Sequence, residues 1–349
     1  MRALPPGGPT LSRSAFRRAL LIPLSAALAL LLAIFIAAEL LHERQALETE
    51  RARSMSAVLE AFDLAIRRDA DKLGATLKAI EHNTYNRGLF INRQREALFD
   101  STRELFESLR DEHGITHFYF ITPKREMFLR VQRPQSHGDL IDRTTLLQAE
   151  RTGQPAAGLE LGQKGVFTLR VVQPWVDAVG QRIGYIELGK EIDRTLAELQ
   201  EITGVEVFLL IDKRYLNRQQ WEEGMDMIQR EARNWDLLPD MVVAGRTARA
   251  SDELVLAHPA FSHPGQSLQE RHRARVDGRH VEFGALPLSD ASGSRLGTII
   301  VVSDLTEMDA RQAIFLTIII LAALSFAAVM LAVAHAAINR AYAASDPTR

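Results

Sequence analysis

The chain has 349 residues, which is room for roughly two to three domains. Its 42 lysines and arginines balance 44 aspartates and glutamates, so no basic surface indicates nucleic-acid binding. The lack of cysteine excludes disulfides, zinc–thiolate sites and cysteine nucleophiles. The chain also lacks G-x-S-x-G, HExxH, Walker and kinase HRD motifs, so we expect neither an enzyme nor a cofactor.

Uncharged apolar runs near both ends predict transmembrane helices at residues 19–41 and 312–335. Each run is close to the roughly 20 residues that a helix needs to cross the hydrocarbon core of a bilayer. A cleaved signal peptide is the alternative for the first run. That run is long for a signal peptide, and Phe35–Glu39 lacks a clean small-x-small cleavage site.

The flanking charges predict the orientation of both spans. Arginines within residues 1–18 precede the first span, and Arg340, within residues 336–349, follows the second. By the positive-inside rule, both of these end segments are cytoplasmic and residues 42–311 lie outside. We therefore expect a two-span protein of the plasma (inner) membrane with a periplasmic or otherwise extracytoplasmic domain.

A long helical segment, residues 42–112, is expected after the first span. Between Met55 and Ile80 apolar residues recur every three or four positions, interrupted by Asp69. This stripe either packs on its own domain or forms the seam of a homodimer. A second helix follows and is expected to end at His113–Gly114 in a glycine C-cap.

Residues 113–203 predict a mixed α/β module. We expect strands at 116–121, 127–132 and 158–161, a helix at 144–151, a hairpin at 166–192 and a closing helix from 192 to 203. The module that follows, residues 204–311, has expected strands at 205–212, 253–257, 279–285 and 297–302, a helical stretch at 215–235 and a loop at 239–251.

The hairpin of the first module returns in the second. The pattern P-x2-D-x2-G-x-R-[IL]-G occurs at Pro174–Gly184 and again at Pro287–Gly297. Turns commonly reuse Pro, Asp and Gly, but the length of the match and the strands on both sides indicate tandem copies of one module. No linker rich in Ser or Pro separates the copies, so we expect them to pack directly on each other.

The chain resembles the double Cache sensor domains, third subtype, of bacterial and archaeal transmembrane receptors. The resemblance covers about residues 39–308, and three segments carry it: FYFITPKREMFLRVQRPQSHGDLIDRTTLLQAERTG (118–153), GLELGQKGVFTLRVVQPW and IGYIELGKEI. It implies an α+β fold of two tandem PAS-like antiparallel-sheet modules on a long N-terminal helix, flanked by two transmembrane helices. It also implies small-molecule sensing in the membrane-distal module, 113–203.

Strand alternation divides the sheet of that module into two faces. The apolar face is expected to pack on the long helix; it carries Phe118, Phe120, Leu129, Val131, Phe167, Leu169, Val171, Ile186 and Leu188. The opposite face, which we call the mixed face, carries His117, Tyr119, Phe128, Arg130, Thr168, Arg170, Tyr185 and Glu187.

The mixed face has two interpretations. It is either solvated, with an ordinary ion pair between Arg170 and Glu187, or it floors a pocket under the 133–143 loop. Aromatic walls with a few fixed charges suit a small ligand, and two arginines favour an anionic one. The candidate ligand-binding residues are Tyr119, Phe128, Arg130, Arg133, His137, Asp139, Arg170, Trp175, Tyr185 and Glu187.

Two other sets of residues have weaker claims to chemistry. His258, His263 and His272 could ligate a metal, but no motif spacing supports them, and we expect no metal site. His137 and Asp139 could form an acid–base pair, although Gly138 between them indicates a tight loop.

The sequence thus predicts a membrane-anchored sensor that binds a small anionic molecule and transmits a conformational change through its spans. Because the chain ends soon after the second span, we expect output through a separate signalling subunit or a C-terminal region outside this sequence. We also expect a homodimer along the Met55–Ile80 stripe. The alternative is a membrane-tethered module that docks another protein and binds no metabolite.

Overall fold

The computed structural model describes residues 13–162, 164–227, 235–247, 250–256 and 272–344. The chain divides into two units, residues 55–305 and the two end segments together. The 55–305 unit is α+β and contains two five-stranded antiparallel sheets. The predicted fold class is confirmed.

The helices and strands alternate along the chain as follows. The helices are α1 (Arg13–Glu81), α2 (Thr84–Ile91), α3 (Arg95–His113), α4 (Thr144–Thr152), α5 (Asp193–Thr203), α6 (Arg218–Met227), α7 (Asp252–Leu256) and α8 (Thr306–Ala344), with a 3-10 turn at Lys213–Tyr215. The strands are β1 (Ile115–Ile121), β2 (Met127–Arg130), β3 (Ala156–Leu161), β4 (Phe167–Val176), β5 (Arg182–Glu191), β6 (Glu206–Asp212), β7 (Met241–Arg246), β8 (His272–Val276), β9 (Arg279–Ser289) and β10 (Arg295–Asp304).

Two helical segments are long and apolar enough to cross a membrane. They are Ser25–His42 within α1, with a mean hydropathy of 2.1, and Thr306–Arg340 within α8, with a mean hydropathy of 2.8. Both overlap the spans predicted from the sequence. Length and composition alone define them, and a signal sequence near the N-terminus meets the same criterion.

The two sheets have the same strand order. In the N-terminal module (β1–β5 with α4) the order is β2-β1-β5-β4-β3, and in the C-terminal module (β6–β10 with α6 and α7) it is β7-β6-β10-β9-β8. Each strand of the second sheet therefore has a counterpart in the first. The tandem repeat predicted from the hairpin pattern is confirmed.

The turn between β4 and β5 is closed by an aspartate. Oδ1 of Asp177 accepts hydrogen bonds from the N–H groups of Val179 and Gln181 at 3.0 and 2.8 Å. Gly180 has a φ of 84°, a conformation that favours glycine. The aspartate and the glycine of the repeated pattern therefore have defined roles in the turn.

The turn between β9 and β10 is built in the same way. Oδ1 of Asp290 accepts from the N–H groups of Ser292 and Ser294 at 2.9 and 3.0 Å. Gly293 has a φ of 83°. The sequence repeat is thus a repeat of hydrogen bonding as well as of strand order.

Helix α1 packs against the predicted apolar face of the N-terminal sheet. Leu73, Leu77 and Ile80 are buried in one cluster with every residue of that face except Phe167. Phe167 begins β4 at the junction of the modules and belongs to a second cluster that includes Phe62 and residues of the C-terminal module.

The burial of the α1 stripe corrects the dimer hypothesis. Because Phe62, Leu73, Leu77 and Ile80 are buried inside their own domain, they cannot also form the seam of a homodimer. The side chain of Met55, at the start of the predicted stripe, lies outside the described part. Of the two interpretations of the stripe, packing on its own domain is correct.

The two modules pack directly on each other, as expected. The N–H of Ala291, in the β9–β10 turn, donates a hydrogen bond to the carbonyl of Leu159 in β3 at 2.8 Å. A Cβ on Gly158 would lie 2.6 Å from that of Ala291, so the strand needs glycine there to let the turn approach. The edge of the first sheet is thus covered by a turn of the second.

Three elements of the C-terminal module differ from the prediction. The expected loop at 239–251 contains edge strand β7, and edge strand β8 was not predicted. The expected strand at 253–257 is helix α7, whose first turn carries Asp252 and Glu253, a favourable charge for a helix N-terminus. Of the helical stretch 215–235, α6 is observed, and residues 228–234 lie outside the described part.

Candidate functional site

The mixed face of the N-terminal sheet is buried. Tyr119, Arg170, Tyr185 and Glu187 have relative exposures of 5%, 4%, 0% and 0%. The loop that follows β2 and helix α4 cover the face. Ile141 of the loop and Leu146 and Ala149 of α4 belong to the same hydrophobic cluster as Tyr119 and Tyr185. The solvated-face interpretation is therefore wrong, although the ion pair that it invoked does form.

Glu187 on β5 is held between two arginines. Its Oε1 accepts from Nη1 of Arg170 on β4 at 2.6 Å, and its Oε2 accepts from Nη2 of Arg143 at 2.6 Å. Oε2 of Glu160 on β3 lies 3.6 Å from Nε of Arg170 and 3.7 Å from Nε of Arg143. Two carboxylates and two guanidinium groups therefore form one network across three strands and the start of α4.

Arg143 and Glu160 were not among the predicted site residues. Arg143 directly precedes α4, and Glu160 lies on the edge strand β3, where an isolated charge is usual. The weak signal for Glu160 was its place within an otherwise apolar strand, Ala156–Leu161. No local pattern indicates that Arg143 reaches a residue 44 positions away.

The ring of Tyr119 lies among guanidinium groups. The Cζ atoms of Arg143, Arg130 and Arg170 are 5.3, 5.6 and 5.9 Å from its centroid. Distances below about 6 Å are typical of cation–π contacts, which favour a cation over the face of an aromatic ring. Tyr119 thus brings together arginines from β2, β4 and the segment before α4.

Arg130 ties the loop to the sheet. Its Nη1 and Nη2 donate to Oδ1 and Oδ2 of Asp139 at 2.7 Å each, and Nη1 also donates to the carbonyl of Ser136 at 2.8 Å. The hydrogen bond and charge of Arg130 hold the pKa of Asp139 below its usual value. Asp139 is therefore an ionised partner of Arg130, whereas His137 is exposed on the same loop.

Phe128 and Trp175 lie on the other side of the sheet, in contact with the helices. Each ring centroid is 5.0 Å from that of Phe90, and Nε1 of Trp175 donates to the carbonyl of Glu81 at 3.2 Å. Trp175 is an even number of positions from Leu169 and Val171 along β4, so strand alternation puts all three on the helix side of the sheet. Phe128 is displaced by a β-bulge where β2 pairs with β1.

The arginines create a positive potential over the mixed face. Burial lowers the pKa of His117 well below 6.5, and the charges of Arg170, Arg143, Arg130 and the exposed loop residue Arg133 lower it further. Burial raises the pKa of Glu160, opposed by the Thr145 N–H, which donates to its Oε1 at 2.7 Å, and by the arginines. The arginines therefore disfavour protonation of His117.

Two buried hydroxyl groups at this face, Thr145 Oγ1 and Tyr185 OH, have no hydrogen-bond partner among the described residues. An unpaired buried polar group costs about 1–3 kcal/mol, so such atoms are uncommon without a functional reason. Arg143 Nε, Arg170 Nε and Glu160 Oε2 also lack a hydrogen bond there, but they face one another as ion pairs at 3.6–3.7 Å. The two hydroxyl groups can therefore donate to or accept from a small polar molecule.

The histidines considered for metal binding form no such site in the described part. Within it, no group of three or more His, Asp or Glu side chains has a geometry suited to a metal ion. His258 and His263 lie outside the described residues. His272 is described and begins the edge strand β8.

A comparison with known protein families shows to which family the chain belongs. Residues 50–308 match a double Cache family described as the double sensory domain of two-component sensor kinases. The chain belongs to this family. Its α+β fold, with two PAS-like sheets, is that of a sensory domain.

Solved sensor domains are among the structures to which the chain is similar, at low sequence identity. The sensor domain of the Vibrio cholerae histidine kinase DctB is 15% identical, with a TM-score of 0.42, over 72% of this chain and 95% of that domain. The periplasmic domain of Vibrio cholerae LuxQ is 14% identical, with a TM-score of 0.42, over 72% and 99%. The E. coli DcuS sensor domain is 16% identical, with a TM-score of 0.32, over 38% and 94%. No curated protein sequence matches the chain.

Within this double Cache protein, the second sheet provides an internal comparison for the charge network. In the N-terminal sheet Tyr119 of β1 lies opposite Glu187 of β5, and in the C-terminal sheet Phe208 of β6 lies opposite Ile300 of β10. By the same register, the counterparts of Tyr119, Glu160, Arg170 and Glu187 are Phe208, Ala274, Phe283 and Ile300. All four counterparts lie in or against one apolar cluster. Among the residues that the structure describes, this charge network therefore belongs to the N-terminal module alone.

Proposed function

We propose that the chain is an extracytoplasmic sensor, anchored by two membrane spans in the inner (plasma) membrane, that binds a small anionic molecule on the mixed face of its N-terminal module. Membership in a family of double sensory domains supports the sensory role. The apolar segments in α1 and α8 support the two-span arrangement. Both chain ends are cytoplasmic in this proposal.

The difference between the two sheets carries the proposal. The C-terminal module shows that this fold can fill the same four positions with apolar side chains. Taking ions out of water costs several kcal/mol each, and well-packed apolar residues are often as stable as a buried ion pair or more so. The network is therefore better explained by ligand recognition than by folding.

The balance of charge favours an anionic ligand. Four arginines influence the mixed face, namely Arg130, Arg133, Arg143 and Arg170, whereas the network and the loop supply the carboxylates of Asp139, Glu160 and Glu187. Guanidinium groups bind carboxylates and phosphates through paired hydrogen bonds. The hydroxyl groups of Thr145 and Tyr185 then fix the orientation of the ligand.

Output passes through α1 and α8 in this proposal. A ligand that prefers one arrangement of the sheet shifts the equilibrium by the difference between its affinities for the two states. A homodimer or a separate signalling subunit reads that shift. Any dimer seam uses a surface other than the buried stripe of α1.

The test is a ligand screen on the full chain in lipid nanodiscs. Thermal unfolding is measured with mono- and dicarboxylates, phosphates and sulfonates, each paired with an uncharged amide or ester of the same shape. An anion at 100 times its Kd should add about 2.7 kcal/mol of stability. If no anion stabilises the protein beyond its uncharged analogue, the proposed ligand class is wrong.

The binding site is tested by transferring the C-terminal residues into the N-terminal module. The combined variant Tyr119→Phe, Arg170→Phe and Glu187→Ile, which keeps Glu160 as the partner of Arg143, should fold and lose the anion response. Arg130→Gln, a milder change, should weaken binding at least tenfold because a charge-assisted contact is lost. Arg218→Gln, which breaks an exposed ion pair of the C-terminal module, is the matched control. Wild-type binding by Arg130→Gln and by the combined variant would place the site elsewhere.

A further inference from the structure

A cleft lies on the side of the N-terminal sheet opposite the mixed face. It is formed by α1, the C-terminal end of α3 and the junction of β5 with α5, and its volume is about 400 Å³. Ligand sites typically have volumes of about 300–1,000 Å³. We propose that this cleft binds a small carboxylate with a short apolar body, independently of the mixed face.

The floor of the cleft is apolar. Leu73 of α1 and Ile115 of β1 line it and are almost completely buried, and Ala75 and Thr76 line the α1 side. Such a floor suits a short hydrocarbon chain, since each buried methylene contributes about 0.8 kcal/mol. The apolar part of the ligand is assigned to this surface.

Lys190 places a buried cation in the wall. Its side chain is 7% exposed, and its Nζ donates to Oδ2 of Asp69 at 2.5 Å. Glu198 Oε1 lies 3.8 Å away, which is beyond hydrogen-bonding distance. An ammonium group has three donors, so within the described part Lys190 has donors left for a ligand.

Asp69 fixes the position of that lysine. Its Oδ2 also accepts from the hydroxyl of Thr195 on α5 at 3.1 Å. Burial raises the pKa of Asp69, but the hydrogen bond and charge of Lys190 outweigh burial and lower it overall. Asp69, which interrupts the apolar stripe of α1, is therefore an ionised group that joins α1 to β5 and α5.

Two more cations line the cleft without a carboxylate partner among the described residues, Lys72 and Arg194. Arg194 packs over Gly114, where a Cβ would lie 3.0 Å from its Cδ, so the side chain is already positioned. Of the lining glutamates, Glu198 pairs with Arg68 and Glu112 accepts from Ser108 at 2.9 Å.

The arrangement of charge and apolar surface defines the ligand class. Lys72, Lys190 and Arg194 supply donors for one carboxylate, and the guanidinium fork matches its two oxygens. The apolar floor accepts the chain that carries the carboxylate. A ligand bound there contacts α1 and α5 together, so it stabilises one spacing between the two helices.

Fluorine NMR with 5,5,5-trifluoropentanoate tests the proposal on the full chain in nanodiscs. The probe resonance should broaden on addition of protein, whereas 5,5,5-trifluoropentanamide should broaden much less. Arg194→Gln should weaken probe binding about tenfold or more, because a charge-assisted hydrogen bond is lost. Lys78→Gln, an exposed change on α1 outside the cleft, should bind as the wild type does.

The mixed-face variant Arg130→Gln separates this proposal from the proposed function. Retained probe binding in Arg130→Gln together with loss in Arg194→Gln supports the cleft. Loss in Arg130→Gln with retention in Arg194→Gln would assign the probe to the mixed face and overturn the cleft. Equal binding of the acid and the amide would also overturn it, because the cations would then play no part.

Discussion

The two sheet modules have the same backbone arrangement. They differ in the side chains that they bury beneath the loop and helix that follow β2 in the N-terminal module and β7 in the C-terminal module. Their strand order, register and aspartate turns are the same. The N-terminal module places Arg170 and Glu187 where the C-terminal module has Phe283 and Ile300. The fold therefore does not require buried charge at these positions.

This difference separates the requirements of folding from those of recognition. An apolar cluster stabilises a module by burial, about 25 cal/mol for each Å² of apolar surface removed from water. A buried charge network contributes little net stability but is strongly destabilised when one member is lost. The interior of the N-terminal module is thus more sensitive to the loss of a single side chain, and it supplies specific hydrogen-bonding groups that an apolar cluster lacks.

The largest expected effect comes from breaking the network at a single point. Glu187→Ile should destabilise the N-terminal module by about 3–5 kcal/mol, because Arg143 and Arg170 lose their shared partner. Its counterpart change, Ile300→Val, should cost only about 0.5–1.5 kcal/mol. Hydrogen exchange of β5 and β10 peptides, read by mass spectrometry, measures the two modules separately.

Adding Arg170→Phe to Glu187→Ile gives this prediction a control in the opposite direction. The double variant should regain most of the lost protection in β5, since the uncompensated charge on Arg170 is gone and Arg143 keeps Glu160 as its partner. A single Glu187→Ile variant with wild-type exchange in β5 would contradict the comparison between the two modules.

The repeated hairpin and the apolar face were predictable because their signals are local. Turn residues at fixed spacing identified both copies, and period-two alternation assigned Phe118 and Leu188 to the side of the long helix. The same alternation, continued from Leu169 and Val171, also puts Trp175 on that side. Phe128 departs from it because a β-bulge cannot be read from a strand of four residues.

The remaining features depend on contacts that are distant in the sequence. Edge strand β8 is short and polar, and β7 (Met241–Arg246) begins with consecutive apolar residues, so neither strand shows a clear alternation. Arg143 meets Glu187 only after the loop folds over the sheet, and no spacing rule links them. The burial of the α1 stripe likewise becomes clear only when the partner sheet is in place.

An effect of intermediate size is expected from His117, whose counterpart in the C-terminal module is Glu206. Because the folded-state pKa of His117 is depressed, the unfolded chain binds the proton first as the pH falls. Stability should therefore decrease below pH 6.5, by about 1.4 kcal/mol per pH unit at most, until the folded-state pKa is reached.

Denaturant unfolding at pH 7.5, 6.5 and 5.5 measures this contribution. His117→Gln should flatten the dependence. If the stability of His117→Gln falls with decreasing pH as steeply as that of the wild type, groups other than His117 control the acid response. A saturating anionic ligand should reduce the slope, since its charge offsets the arginines that disfavour protonation.

The smallest expected effect compares the two aspartate turns. Asp177→Ala and Asp290→Ala each remove an oxygen that accepts from two backbone N–H groups, so each should cost about 1 kcal/mol. The consequences differ in location, because within the described residues the Asp290 turn contacts the other module, through Ala291 and Leu159, and the Asp177 turn does not. Asp290→Ala should therefore increase hydrogen exchange in β3 as well as in its own hairpin, whereas Asp177→Ala should change only the β4–β5 hairpin. Equal exchange in β3 for both variants would mean that the turn does not stabilise the edge strand it covers.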